Sequence, residues 1–244
     1  MNIPLWTNQR AWKLAGILCV AGLAAYILGQ QSIDDHLKSQ AVGSGAVQPV
    51  PNGQIVVHEV GQLNISNGNA QLVGYFPYIA NLPVSFFSGT PSEATAYFTF
   101  QSVPLPLEVI PNGTNMQIFP VAGSGSSNGG TQNLYYNPNP NQSFANPSTF
   151  SQGQLIATLS SPKWMASVSP SGGVVAGTYA LVSSSDFTIQ GTTYNVNGLG
   201  SAVTFVLSFG PLPTGASPYG PVTIPFGGYG LQTSVQVQKV EVRR

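Results

Sequence analysis

The chain has 244 residues, no net charge at pH 7 and charged side chains at only 6% of its positions, while glycine and proline number 28 and 20. So little charge and so many turn-forming residues exclude a coiled coil or an ordinary cytosolic helical protein. Between Gly53 and Gln238 the only lysine or arginine is Lys163. A nucleic-acid partner is therefore disfavoured, because phosphate binding needs clustered cationic side chains.

The first predicted element is the uncharged apolar segment Leu14–Leu28. With its flanking residues it is long enough for a helix that just spans a bilayer core of about 30 Å. Basic residues precede it, so the N-terminus is expected in the cytoplasm and the bulk of the chain in the periplasm or outside the cell. We therefore predict a cytoplasmic tail (residues 1–11) and a single-pass transmembrane helix that acts as a signal anchor (residues 12–30).

Two alternatives remain for this segment. A cleaved signal peptide has a similar basic start and apolar core, and a lipoprotein would be modified at Cys19. The residues before Cys19 are Ile17 and Leu18, not the small residues of a lipoprotein signal. All three interpretations export the rest of the chain. Because Cys19 is the single cysteine, the exported part can contain no disulfide.

Small residues form a stripe along the predicted helix. Ala21, Ala25 and Gly29 are spaced four residues apart, and Gly22 lies beside them. Such stripes allow close helix packing in lipid, so we predict a helix-packing surface here. The alternative is that alanine and glycine are simply common in membrane helices.

A linker (residues 31–52) is predicted to lead into an extracytoplasmic β domain (residues 53–244). Strand-forming runs alternate there with Gly, Pro and Asn, and none has a helical period. The predicted strands are Gln54–Val60, Ala70–Phe76, Ala94–Phe100, Met116–Val121, Gln154–Leu159, Thr178–Ser183, Phe187–Val196, Ala202–Phe209 and Leu231–Val242.

The clearest strand is Ala202–Phe209, in which alternate residues starting at Val203 are large and apolar and are expected in the core. Gln190–Gly191 predicts a tight hairpin, and a change of phase at Lys239 predicts a bulge. Many short strands without helices between them favour an all-β, antiparallel β-sandwich, jelly-roll-like or related, after the single N-terminal transmembrane helix.

Three irregular stretches interrupt the predicted strands, at residues 122–133, 137–153 and 210–230. Long loops frequently carry function, so we expect contact surfaces there. The predicted contact residues are Pro211, Pro213, Pro218, Tyr219, Pro221, Pro225 and Tyr229 in the third stretch, together with Trp164 outside these stretches, which is the residue expected to bind sugars in the carbohydrate-binding alternative.

No pattern of residues predicts catalysis, a metal site or a cofactor. Gly125–Gly129 has the spacing of a nucleophile elbow but lies in a Gly/Ser tract, without the strand and helix that an elbow requires. His58 and Glu59 are adjacent in a predicted strand, so their side chains should face opposite sides of the sheet. The sequence therefore predicts a protein that is not an enzyme.

Three functions fit this sequence. The favoured one is a membrane-anchored structural or accessory subunit, whose β domain makes protein–protein contacts with other subunits of a membrane complex. The alternatives are a surface fibre or adhesin subunit assembling through strand edges and a carbohydrate-binding module using aromatic faces. The expected partners are the lipid bilayer and other membrane-complex subunits, with homo-oligomerisation left open.

Overall fold

The computed structural model describes residues 50–121, 130–199, 202–212 and 221–233. They belong to one compact unit, Val47–Arg244. Within these ranges no helix has the length and apolarity needed to cross a membrane. The predicted transmembrane helix, residues 12–30, lies outside the described residues.

The regular structure of the described residues consists of strands and short 3-10 turns, so the prediction of an all-β domain is confirmed. The turns are Glu93–Thr95, Pro147–Ser151 and Val196–Leu199. The strands are β1 (Ile55–Ser66), β2 (Asn69–Ile79), β3 (Phe98–Ser102), β4 (Leu105–Asn112), β5 (Asn115–Pro120), β6 (Thr131–Tyr136), β7 (Gln154–Ser169), β8 (Gly172–Ser184), β9 (Phe187–Ile189), β10 (Thr192–Tyr194), β11 (Ala202–Phe209) and β12 (Val222–Gln232).

The main sheet closes on itself, so the predicted β-sandwich is wrong. Its order is β1-β12-β11-β8-β7-β5-β4-β2, and β2 pairs back with β1, which completes an eight-stranded antiparallel barrel. Alternation of apolar and polar residues requires only that one face of each strand be buried, and this is true of both a sandwich and a barrel. The pattern that predicted the sandwich was therefore equally compatible with closure.

Two pairs of strands share one part of the barrel wall, between β2 and β7. The β4–β5 panel joins β2 at Asn69 and Ala70 and joins β7 at Ala166–Val168. The β3–β6 panel joins the same strands farther along, at Val73–Tyr75 of β2 and Gln154–Ser160 of β7. The wall thus forks, and each panel by itself completes a ring.

Two facing glycines let the β1 and β2 backbones approach each other closely. Gly61 and Gly74 lie opposite each other, and a Cβ on Gly61 would be 2.3 Å from the carbonyl oxygen of Val73. A Cβ on Gly74 would be 2.2 Å from the carbonyl oxygen of Val60. Glycine permits this close approach because it has no side chain to collide with the neighbouring backbone.

Strand β11 has the boundaries that the sequence predicted, and its core face is also confirmed. Val203, Phe205, Leu207 and Phe209 are all buried, whereas Val206 on the opposite face is 46% exposed. The predicted hairpin at Gln190–Gly191 is confirmed as well, since β9 and β10 pair across it.

The β9–β10 hairpin places an aromatic side chain in the core. Phe187 is 2% exposed, and its ring centroid lies 5.8 Å from that of Phe98 and 5.4 Å from that of Tyr136. Val196 and Leu199, in the turn that follows the hairpin, are also buried. These residues extend the apolar core beyond the barrel strands.

Part of the predicted loop at residues 210–230 is strand, from Val222 to its end. β12 begins at Val222 and pairs with β1 along its length, and from Phe226 onward it also pairs with β11. Pro225 lies before this doubly paired part begins. A proline, which has no N–H, is tolerated at that position. The bulge predicted at Lys239 lies outside the described residues.

Candidate functional site

A row of side chains crosses the outside of the barrel and is the strongest candidate for a functional surface. Cross-strand register places these residues side by side on six consecutive strands. The outer row consists of Met165 on β7, Ala176 on β8, Val206 on β11, Tyr229 on β12, His58 on β1 and Tyr78 on β2.

The apolar end of the outer row is open to solvent. Met165 is 45% exposed and Val206 is 46% exposed, with the exposed Ala176 between them. Val174, two residues from Ala176 on β8, is 48% exposed. Adjacent exposed apolar side chains of this kind are typical of interaction sites, whereas single ones are normal on any protein surface.

The aromatic end of the outer row is centred on His58. Its ring stacks on Tyr229 with centroids 4.6 Å apart and planes inclined by 24°. Burial lowers the pKa of His58 below its ordinary value, so the imidazole is neutral at pH 7. No residue of the outer row therefore carries a charge at neutral pH.

A small cavity lies inside the barrel where the two panels separate. Its volume is about 30 Å³, enough for a water molecule but not for a drug-sized ligand. The lining includes Leu72, Leu105, Trp164, Phe205, Ser102 and Thr131. The hydroxyl of Ser102 already accepts a hydrogen bond from the backbone N–H of Leu72 at 2.8 Å.

The barrel interior also contains one carboxyl group. Glu59 is 2% exposed, and its Oε1 accepts a hydrogen bond of 3.1 Å from Nε2 of Gln132. Glu59 faces the interior while His58 faces outward, as strand alternation predicted. The two side chains therefore cannot act as one catalytic pair.

The structure describes five of the predicted contact residues, and it brings two of them together: Pro211 follows Gly210, whose N–H donates to the carbonyl oxygen of Pro225 at 3.0 Å. Trp164 lines the cavity, Tyr229 belongs to the outer row, and Pro211, Pro221 and Pro225 are exposed. The remaining predicted residues lie outside the described residues: Pro213, Pro218, Tyr219 and the helix-packing set Ala21, Gly22, Ala25 and Gly29.

Groups that could carry catalysis or bind a metal are sparse in the described ranges. No set of three His, Cys, Asp or Glu side chains within them is close enough to hold a metal ion. The elbow-like Gly125–Gly129 lies outside these ranges.

Sequence reasoning found Tyr229 but missed the rest of the outer row. Its members come from six strands and become neighbours only through the register of the closed sheet. Each residue alone is an ordinary strand residue, so the sequence contains no local signal for the row. Comparison of the chain with protein-family models, curated proteins and solved structures finds no match.

Proposed function

We propose that this protein is a non-enzymatic accessory subunit, anchored by its N-terminal apolar segment, whose extracytoplasmic β domain docks on another subunit of a membrane complex. The observation that carries the proposal is the uncharged, partly exposed outer row. Methionine and aromatic residues are enriched in protein interfaces, and charged residues are depleted at their centres.

The geometry gives less support to carbohydrate binding. Sugars stack on open aromatic faces, but His58 and Tyr229 cover one face of each other's rings. Trp164 lines the interior cavity and is only partly exposed. Neither arrangement supplies a broad, open aromatic platform.

Assembly into a fibre through strand edges is also less well supported. Closing a barrel removes the free edges that such assembly uses. In the described residues, β4 pairs with β2 only through Leu105 and Pro106, which leaves one edge of Leu107–Asn112 without a strand partner. This edge contains Pro111 and Glu108, and both residue types discourage pairing with another strand.

The test is the substitution Val206→Asp in the full-length protein. An aspartate at the middle of the outer row would place an unpaired carboxylate in the interface. We expect recovery of the partner, after gentle detergent extraction of native membranes and affinity purification, to fall at least about tenfold.

Val182→Asp is the matched control. Val182 is 64% exposed on β8, and it lies six residues, roughly 20 Å, from Ala176 along the strand. This variant should recover the partner as well as the wild type does. Equal recovery with both variants, or no partner recovered with the wild type, would contradict the proposal.

A further inference from the structure

The buried pair formed by Glu59 and Gln132 joins distant parts of the barrel. Glu59 lies on β1, opposite Gly228 of β12, and Gln132 lies on β6 of the β3–β6 panel. Both side chains are almost fully buried, at 2% and 1% exposure. The amide Nε2 of Gln132 donates to Oε1 of Glu59 at 3.1 Å.

The side-chain oxygen of Gln132 determines whether the neutral or the ionised carboxyl group of Glu59 fits. Oε1 of Gln132 is buried and accepts no hydrogen bond from the described residues. Beside it, a carboxylate offers only further acceptor oxygens, whereas a carboxylic acid offers an O–H donor. A buried acceptor without a donor is costly, so the acid form satisfies the pair better than the carboxylate does.

Cationic residues are sparse on the strands that surround the pair. β1, β2, β3, β6 and β12 contain no lysine or arginine, and Lys163, the one lysine of β7, lies four residues from Leu159, the residue opposite Gln132. Their other titratable groups are His58, Tyr75, Tyr78, Tyr135, Tyr136 and Tyr229. His58 is neutral at pH 7 and points outward, and tyrosine is never cationic.

We propose that Glu59 is a carboxylic acid in the folded barrel and donates its proton to Oε1 of Gln132. The two side chains then form a paired acid and amide with two hydrogen bonds, which ties β1 to the β3–β6 panel. Loss of this proton in alkali breaks the O–H···O bond and leaves a charge in the apolar core. The stability of the barrel therefore depends on pH and is greatest in acid.

The direction of the pH dependence follows from linkage. Burial raises the pKa of Glu59 to about 8, against an ordinary value of 4.5, and the hydrogen bond from Gln132 opposes this rise only in part. The folded state thus binds the proton more strongly than the unfolded state. The stabilisation is complete below pH 4.5 and is lost as the pH rises through about 8.

Glu59→Gln is the decisive substitution, because a carboxamide can still donate to Oε1 of Gln132 and accept from Nε2, but cannot ionise. Denaturant unfolding of the full-length protein in detergent should show that the wild-type unfolding constant rises by about a thousandfold between about pH 5 and about pH 9. The Glu59→Gln variant should lose most of this rise. Glu108→Gln, at an exposed glutamate, should retain it.

A spectroscopic measurement on the wild type does not depend on how the variant folds. The chain contains only four glutamates, Glu59, Glu93, Glu108 and Glu241, so carboxyl ¹³C labelling of glutamate gives few signals. One signal should remain that of a protonated acid at neutral pH and should be absent from Glu59→Gln. Titration of all four signals in the ordinary range, or equal pH dependence of the wild type and Glu59→Gln, would overturn the proposal.

Discussion

Gly61 illustrates how one residue without a side chain permits two strands of the barrel to approach closely. Its position opposite Gly74 leaves no room for a methyl group, because the carbonyl oxygen of Val73 occupies that space. The rings of Phe226 and Phe100 lie close to Gly61 and Gly74, at 2.8 Å and 2.6 Å from their would-be Cβ atoms. Aromatic side chains thus fill the volume that the glycines leave open.

We predict that Gly61→Ala lowers the free energy of unfolding by about 3 kcal/mol or more, because the added methyl group forces the β1 and β2 backbones apart. Gly227→Ala is the control: Gly227 lies in the adjacent strand β12, and its nearest neighbour to a new Cβ is 3.7 Å away. Its effect should stay below about 1 kcal/mol. Similar losses for both variants in denaturant titrations would show that close backbone approach is not the reason for glycine at position 61.

The two faces of strand β11 have different surroundings. Phe205 is buried and packs edge-on against Tyr179, with ring centroids 4.7 Å apart. Thr204 faces outward, where its hydroxyl is 3.3 Å from that of Thr178 and 3.0 Å from that of Thr233. The inner face thus packs apolar surface, and the outer face forms a short ladder of hydroxyl groups.

We predict that Phe205→Ala destabilises the domain by about 3 to 5 kcal/mol, because the lost ring leaves a cavity that the barrel refills only in part. Thr204→Ala should cost at most about 1 kcal/mol, since exposed hydroxyl hydrogen bonds are largely replaced by water. Denaturant unfolding of both variants measures the difference. Losses of equal size would mean that the inner and outer faces of β11 are wrongly assigned.

The sequence predicted some elements well, for reasons that differ from strand to strand. β11 was found because its apolar residues alternate without interruption. β4 was missed because it contains Pro106 and Pro111; Pro111 lies in the part of β4 that has no partner in β2, where a proline is tolerated. β6 was missed because its sequence, TQNLYY, begins with polar residues. One of them, Gln132, is nevertheless buried, and its side chain is hydrogen-bonded to Glu59.

The candidate sites were less predictable than the strands. The outer row and the acid–amide pair both depend on register between residues far apart in sequence; Glu59 and Gln132 are separated by 73 positions. Such neighbours follow from closure of the whole sheet, and closure itself was not predictable from alternation. The predicted contact residues are loop and aromatic residues, and only Tyr229 lies in the outer row.

At the scale of the whole molecule, the barrel is closed between β2 and β7 by two separate panels. β2 and β7 are bridged by the β3–β6 panel and, independently, by the β4–β5 panel. The second is held by few register pairs, at Asn69 and Ala70 on one side and at Met116–Ile118 on the other. The first pairs with β7 at six positions.

This redundancy means that the β4–β5 panel can detach while the barrel stays intact. We expect amide hydrogens in Met116–Ile118 to exchange through a local opening that costs less free energy than global unfolding. Amide hydrogens in the β1–β12 pair should exchange only when the whole barrel unfolds. Native-state hydrogen exchange of the full-length protein measures both, and equal exchange free energies would exclude independent opening.

The cavity next to Trp164 lies behind the junction of the two panels. Detachment of the weaker panel would expose its apolar lining to solvent without breaking the other ring. The same duplication that keeps the barrel closed after local damage therefore also provides a route from solvent to this cavity.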